Sequence, residues 1–165
     1  MISPGLAAMF PKLVGDGAKE TSPKDPIYNC LGWSAKRDTT IWWQPGGATG
    51  QYWPPGVPDD FSFECFVQLF EKFGYKRCAG AQLEILYEKV ALYDDGVWFT
   101  HVSSQLASGA WTSKLGPYED IQHNSLEALE GNVAQEYGKV RQIMKRRCGL
   151  LGIFLRLFFK IIPIF

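Results

Sequence analysis

The stretch KVALYDDGVWFTHVSSQLASGAWTSKL, residues 89–115, decides the fold of this chain. Two turn signals, Asp95-Gly96 and Ser108-Gly109, divide it into three segments that contain several β-branched and aromatic residues. An Asp-Gly pair between such segments is typical of a type I′ hairpin turn. The stretch therefore predicts a three-stranded antiparallel meander over residues 89–94, 97–106 and 110–115.

A two-residue turn at Ser108-Gly109 also predicts the register of the second hairpin, with Ser104 opposite Ser113 and Ser103 opposite Lys114. Side chains alternate along a strand, so Lys114 would lie on the same face as His101. There it could hydrogen-bond or attract an anionic group. The alternative for this lysine is a solvated position on the strand.

Two helices are predicted before the meander. Asn29 is a good N-cap for a short helix with Cys30 in its first turn. A second helix, capped by Asp59 or Asp60, is predicted over 61–73, where apolar residues recur at spacings of three and four.

The remaining N-terminal segments contain many prolines. Residues 42–58, WWQPGGATGQYWPPGVP, hold four Pro and four aromatic residues, which indicates a long ordered loop. Residues 1–26 hold four Pro and predict an irregular lead-in rather than a helix or strand.

Charge is unevenly distributed, although 17 basic and 17 acidic residues balance overall. All acidic residues lie at or before Glu136, so residues 1–136 carry −7 and residues 137–165 carry +7. Nucleic-acid binding needs a basic stripe on the folded surface, and an acidic globule argues against it. The sequence predicts no nucleic-acid partner.

The C-terminal segment is predicted to be helical. Val133, Tyr137, Val140 and Met144 recur at helical spacings within a helix over Glu127–Arg147. Residues 149–165 are almost wholly apolar, and a helix over 149–162 would align Gly149, Gly152, Arg156 and Lys160 in a stripe. Three roles stay open for this helix: contact with an anionic membrane surface, binding of a protein partner, or packing on its own domain.

The four cysteines and two histidines predict neither a metal site nor a cofactor. Cys30, Cys65, Cys78 and Cys148 form no CxxC pair. The N-terminus has no charged region followed by a long apolar run, so no signal peptide is expected. These features predict a cytoplasmic protein with reduced thiols, and the tail adds membrane association as an alternative.

Cys30 is the first candidate for chemistry. A thiol in the first turn of a helix lies near the partial positive charge of free N–H groups, which favours the reactive thiolate. His101, on the middle predicted strand, could act as its base. The alternative is that Cys30 is a small buried apolar residue.

The aromatic residues of the 42–58 loop are candidates for binding. Trp42, Trp43 and Trp53, with Tyr52, could form a stacking platform for a peptide or a sugar ring. Packing of the same residues as a rigid flap or as core is the alternative.

A set of motifs resembles a family. The set consists of Tyr28-Asn29-Cys30, His101 on a strand, the segment TSKLG at 112–116, and His123. Over residues 27–124 it resembles uncharacterised bacterial papain-like domains, which are distantly similar to NlpC-type cysteine peptidases. The resemblance implies Cys30 as nucleophile and His101 as general base. It implies His123 as a third, orienting group, and Asp120 competes for that role.

Together these observations predict an α+β fold with a papain-like core, in which a Cys-bearing helix packs on the meander and an apolar helix follows. The predicted divisions are a lead-in over 1–26, a domain over 27–136 and a tail over 137–165. The expected function is a thiol hydrolase or acyltransferase that acts on peptide or amide bonds. The alternative is an inactive module that binds a protein partner or membrane surface through the aromatic loop and the tail.

Overall fold

The computed structural model describes residues 1–132 and 136–161, with side chains described as far as Phe158. Its strands are β1 Lys19–Glu20, β2 Trp42–Trp43, β3 Gln51–Tyr52, β4 Lys76–Cys78, β5 Tyr87–Asp94, β6 Phe99–Gln105, β7 Trp111–Lys114, β8 Asp120–His123 and β9 Lys139–Arg147. Its helices are α1 Pro4–Met9, α2 Lys12–Asp16, α3 Cys30–Lys36, α4 Phe63–Lys72 and α5 Leu150–Ile161, with a 3-10 turn at Leu126–Leu129.

An antiparallel sheet of seven strands, in the order β1-β8-β7-β6-β5-β9-β4, dominates the fold. Strands β2 and β3 form a separate parallel pair. The predicted α+β class is confirmed, and so is the meander, which is formed by β5, β6 and β7. The predicted helices at Cys30 and over 61–73 correspond to α3 and α4.

The predicted register of the second hairpin is wrong by one residue. Ser104 lies opposite Thr112, because the chain turns through a three-residue loop that ends at Gly109, with φ of 95°. The amide of Leu106 donates to the carbonyl of Ala110 across this loop at 2.8 Å. A shift of one residue moves side chains to the other face of a strand. Lys114 therefore lies on the opposite face from His101.

The predicted helix over Glu127–Arg147 is also wrong. Its first residues belong to the 3-10 turn, Lys139–Arg147 form β9, and Val133 lies outside the described residues. Strand β9 pairs with β5 on one side and with β4 on the other. Backbone hydrogen bonds along both edges favour the strand over the helix that the apolar spacing also allows. The segment predicted as a tail thus supplies an inner strand of the sheet.

Residues 1–26 are more regular than predicted, since they contain α1, α2 and β1. Pro4 occupies the first turn of α1, where the missing N–H costs nothing. Leu6, Phe10 and Leu13 are buried against the sheet. Burial of these three side chains stabilises two helices that are too short to persist alone.

The sheet buries apolar residues on both faces. On the face covered by α1 and α2, here called the N-terminal face, the buried cluster includes Tyr93, Trp111 and Ile121. On the other face, here called the α3 face, α3 and α4 cover a second cluster, which includes Val90, Leu92, Val102 and Met144. The two clusters lie on alternate residues of β5, as expected for a strand buried on both sides.

Helix α5 confirms the helix predicted over 149–162 for its described part, Leu150–Ile161. Arg156 is only 3% exposed and donates to the carbonyls of Gln105 and Leu106 at 3.3 and 3.4 Å. In the part of the chain that is described, no helix is both long and apolar enough to cross a bilayer.

Truncation distinguishes the tail from the sheet. A chain ending at residue 149 retains β9 and should stay folded, with a melting temperature within a few degrees of the full chain. A chain ending at residue 138 lacks β9, leaves an edge of β5 unpaired and should be insoluble or unfolded. Circular dichroism and thermal melting of both purified chains measure this. A folded protein ending at 138 would contradict the placement of β9.

Candidate active site

Asn29 holds Cys30 and the aromatic loop in one place. Its Oδ1 accepts from the amides of Gly32 and Trp43, both at 3.4 Å, and its Nδ2 donates to the carbonyl of Trp43 at 2.7 Å. One side chain therefore caps α3 and fixes β2 beside it. A Cβ at Gly32 would lie 2.9 Å from the Trp43 ring, so only glycine allows this close packing.

His101 lies where the regular sheet is interrupted. Tyr93 faces His101, but the next pair is Asp94 with Phe99, so Thr100 is an extra residue in β6. Such a bulge turns the side chains before it to the other face. By the register of Ser104 with Thr112, β7 ends opposite Val102, and the first residues of β6 extend beyond it. The sheet is therefore open on one side of His101.

Cys30 and His101 line one cavity of about 300 Å³ at this opening. Helix α3 packs on β6, where Ser34 Oγ donates to the carbonyl of Val102 at 3.4 Å. His101 belongs to the N-terminal face, with Tyr93 and Ser103, whereas Cys30 approaches from the α3 face. The end of β7 allows the two residues to reach the same cavity.

The predicted activation of Cys30 by its helix is outweighed by burial. Cys30 is 8% exposed, and loss of solvent raises the pKa of its thiol to about 11. Backbone groups of Val102, Cys30 and Leu31 lower this pKa by a smaller amount. The expected thiolate is therefore absent at neutral pH in this structure, and Cys30 is a protonated thiol.

His101 is buried without a hydrogen bond. It is 1% exposed, and neither ring nitrogen has a partner among the described residues. Its ring stacks on Tyr137, with centroids 4.1 Å apart and planes 9° apart. Burial lowers the pKa of His101 well below its ordinary value, and the nearby His123 lowers it further. His101 is thus neutral at pH 7 and does not hydrogen-bond to Cys30.

Neither residue predicted to orient His101 contacts its ring nitrogens. His123 hydrogen-bonds to Ser113 Oγ at 2.9 Å and to the carbonyl of Ser125 at 2.7 Å. Ser113 Oγ is in turn 2.7 Å from Ser103 Oγ. Asp120 Oδ2 accepts from Tyr28 at 2.8 Å. The structure places His123 in a buried serine network and Asp120 beside the N-terminal segment.

Lys114 ties the N-terminal segment to the sheet. Its ammonium group donates to the carbonyls of Asp25, at 2.7 Å, and Tyr118. It also lies 4.8 Å from the centroid of the Tyr28 ring. Lys114 is fully buried, so the solvated position considered from the sequence is wrong, and it does not line the cavity.

The three tryptophans predicted to bind substrate separate in the structure. Trp42 and Trp43 line the Cys30 cavity. Trp43 Nε1 donates to Asp38 at 2.9 Å, and its ring packs edge-on against Tyr52. Trp53 lies elsewhere, against Phe66, with its indole N–H donating to the carbonyl of Pro58. The loop therefore supplies one wall of the cavity and part of the core.

Tyr137 and Phe61 are among the cavity residues that the sequence does not predict. The sequence predicts a helix at Tyr137, which does not indicate a contact with His101. The signal against that helix is the next residue, Gly138, which has a φ of 73° and is typical of a turn. Phe61 lines the cavity with φ of 60°, which is unusual for an aromatic residue. No pattern in the sequence indicates that conformation.

No cluster of three or more His, Cys, Asp or Glu side chains suited to a metal ion occurs within residues 1–132 and 136–161. The four cysteines are free thiols. The arrangement at the cavity can supply a nucleophile, a neutral imidazole base and apolar walls, provided that the imidazole reaches the thiol.

Replacing each histidine by Phe tests whether the buried, unpartnered His101 lowers the free energy of unfolding. His101→Phe removes two buried, unpartnered nitrogens and should raise the free energy of unfolding by about 1 kcal/mol. His123→Phe breaks two hydrogen bonds and should lower it by about 2 kcal/mol. Urea denaturation, read by circular dichroism, measures both values.

Burial of the two histidines also predicts how stability depends on pH. Burial lowers the pKa of both histidines, so the unfolded chain binds more protons and wild-type stability falls below about pH 6.5. This loss increases as pH falls toward the folded pKa values. His101→Phe should reduce the loss between about pH 7.5 and pH 5.5. An unchanged profile would contradict the burial of a neutral His101.

This chain can be compared with known proteins and protein families. The comparison with curated proteins and the comparison with solved structures each found no match. A family model described as a domain of unknown function, DUF7689, matches residues 19–145. The match covers the sheet from β1 into β9, together with Cys30, His101 and the cavity between them. The chain belongs to the DUF7689 family.

Proposed function

We propose that the protein is a thiol hydrolase or acyltransferase that acts on a peptide or amide bond through Cys30 and His101. The observation that carries the proposal is that both side chains line one cavity, although they come from opposite faces of the sheet. A cysteine at the start of a helix, packed on a strand with a histidine, supports the papain-like relationship that the motifs indicate.

The reaction begins with two neutral groups. His101 takes the proton of Cys30 as Sγ attacks the carbonyl carbon, and the C–N bond breaks after the amine receives that proton. The product is a thioester on Cys30. Water, or a second amine, attacks the thioester with His101 again as base, which releases the acyl group and restores the thiol.

The protonation states select this general-base route over a preformed ion pair. Burial of the thiol and of the imidazole opposes both charged forms. His101 must also move, because it makes no hydrogen bond to Cys30 in the structure. Displacement of the Tyr137 ring, which stacks on His101, is the movement that would free the imidazole.

The inactive binding module is the alternative, and the high pKa of Cys30 favours it. Cys65 provides a matched control, because burial also raises the pKa of its thiol to about 11. Cys65 lies in α4 and does not line the cavity with His101. The similar pKa values of the two thiols predict similar intrinsic reactivity, so the loss of any difference in His101→Phe is the decisive result.

Acylation by p-nitrophenyl acetate tests the enzyme. Peptide mass mapping should show acetyl transfer to Cys30 at least about tenfold faster than to Cys65, with the difference lost in His101→Phe. The rate should level off near neutral pH, because His101 is already a free base there. An unassisted thiol would instead react faster with each pH unit up to about 11. Equal rates at both cysteines would leave only the binding module.

A second proposal concerns α5, which we infer contacts a membrane surface. Its apolar side chains are exposed at five positions before Phe158: Leu150, Leu151, Phe154, Leu155 and Leu157. Arg156 fixes the helix to the β6–β7 turn, which leaves these side chains without cover from the described sheet. The exposed Arg147, three residues before the start of the helix, suits anionic headgroups.

Flotation with vesicles of phosphatidylcholine and phosphatidylserine tests the contact. The full chain should float, and Phe154→Ser should reduce the floating fraction severalfold by removing apolar area. Val14→Ser is the matched control, since Val14 is also exposed but lies on α2. Equal flotation of the full chain and a chain ending at residue 149 would exclude the proposal.

A further inference from the structure

The walls of the Cys30 cavity are apolar. Most of its larger lining side chains are apolar, namely Leu31, Trp42, Trp43, Phe61, Phe66 and Phe99, and its polar residues Asn29, Gln44 and Thr100 are uncharged. No Asp, Glu, Lys or Arg among the described residues lines it. A charged ligand group would lose its hydration in this cavity without meeting an opposite charge, which is costly.

The titratable groups of the wall do not change this. Burial raises the pKa of Cys30 to about 11, lowers that of His101 and raises that of Tyr137. All three groups are neutral at pH 7. No group that lines the cavity therefore offers a full charge, of either sign, to a ligand. Lys114, whose charge lowers the pKa of Cys30, lies outside the lining, and its ammonium group donates to the carbonyls of Asp25 and Tyr118.

One polar feature of the cavity lacks a partner. Both ring nitrogens of His101 are buried and make no hydrogen bond within the described residues, a state that is unfavourable for a polar group. A neutral imidazole has one donor and one acceptor. An amide group carries the complementary acceptor and donor, so an amide next to His101 would satisfy one or both nitrogens.

Phe61 marks the apolar part of the site. It is 43% exposed and has a positive φ of 60°, a backbone conformation that is strained for an L-residue. Strained residues of this kind persist where the surrounding structure holds them, and they cluster at ligand sites. An apolar ligand group against Phe61 would cover a ring that is otherwise in water.

The volume limits the size of the ligand. About 300 Å³ lies at the lower end of small-molecule pockets and is roughly twice the volume of a cavity that holds benzene. One aromatic ring or branched aliphatic side chain, with an amide attached, fills this space. A longer peptide would extend out of it.

We propose that this cavity binds the uncharged amide of a single apolar group, with the apolar body against Phe61 and Trp42 and the amide at His101. This rests on the proposed function for the identity of the site, since it names the substrate class as amides of apolar acyl groups. Binding itself requires no reaction at Cys30.

Binding is measured by isothermal titration calorimetry on Cys30→Ser, in which acyl transfer to Cys30 is removed. Three ligands share one body: phenylacetamide, phenylacetate and 2-phenylethylammonium. The amide should bind at least about tenfold more tightly than either ion, because only the ions carry a charge that the cavity cannot pair. Equal or tighter binding of an ion, or no saturable binding of the amide, would overturn the proposal.

Two aromatic substitutions test whether the ligand binds in the Cys30 cavity. Phe61→Ala should weaken amide binding severalfold, whereas Trp98→Ala should not change it, since Trp98 is an exposed aromatic residue outside the cavity. Circular dichroism confirms that both variants are folded. Equal affinities of the two variants would also overturn the proposal.

The outcomes separate this inference from the proposed function. Selective amide binding without any acylation of Cys30 in the wild-type chain would support the proposed ligand class and contradict the proposed enzyme activity. Acylation of Cys30 without selectivity for the neutral amide would support the proposed enzyme activity and contradict the proposed ligand class.

Discussion

Strand β5 is buried on both faces and needs a hydrogen-bonded neighbour along each of its two edges, and the rest of the fold satisfies that constraint. Val90, Ala91, Leu92 and Tyr93 are fully buried. One edge is paired by β6, its neighbour in sequence, and the other by β9, which comes from far along the chain. Any break in either pairing would leave backbone groups unpaired in an apolar interior.

The site arises where both of these pairings change register. Strand β6 carries an extra residue at Thr100, and β9 carries one at Arg141, each next to Tyr93. The two bulges lie at the same end of the sheet, where β7 has already ended. His101 and Tyr137 meet there, and the opening between the strands admits Cys30 from the other face.

The uneven charge along the sequence is partly balanced by ion pairs in the fold. Basic residues of β9 pair with acidic residues from earlier in the chain: Arg141 with Asp94, Lys145 with Glu84, and Arg146 with Glu88. These pairs are partly exposed and each adds little stability alone. Their opposite signs nevertheless favour the observed register of β9 with β5. The partners in these three pairs are far apart along the chain but adjacent in the fold.

Local sequence patterns predicted much of the fold, and the main error arose where a strand pairs with a strand far along the chain. The meander and helices α3 and α4 have turn and capping residues that act over a few positions. Strand β9 could not be recognised, because its apolar spacing also suits a helix and its partner β5 lies about 50 residues earlier. A loop one residue longer than predicted reversed the face of Lys114. The same error concealed the contact of Ser113 with Ser103 and His123. The pairing of Cys30 with His101 in one cavity agrees with the motif, while their catalytic roles stay predictions.

Helices α1 and α2 affect where the boundary of the folded domain lies. They precede the region, residues 19–145, that the family model matches, yet Leu6, Phe10 and Leu13 cover the N-terminal face. Without them, a continuous apolar area that includes Trp111, Leu115 and Ile121 would meet water. The residues that cover the N-terminal face therefore extend beyond the residues that the family model matches, and a chain cut to the matched region would expose this apolar area.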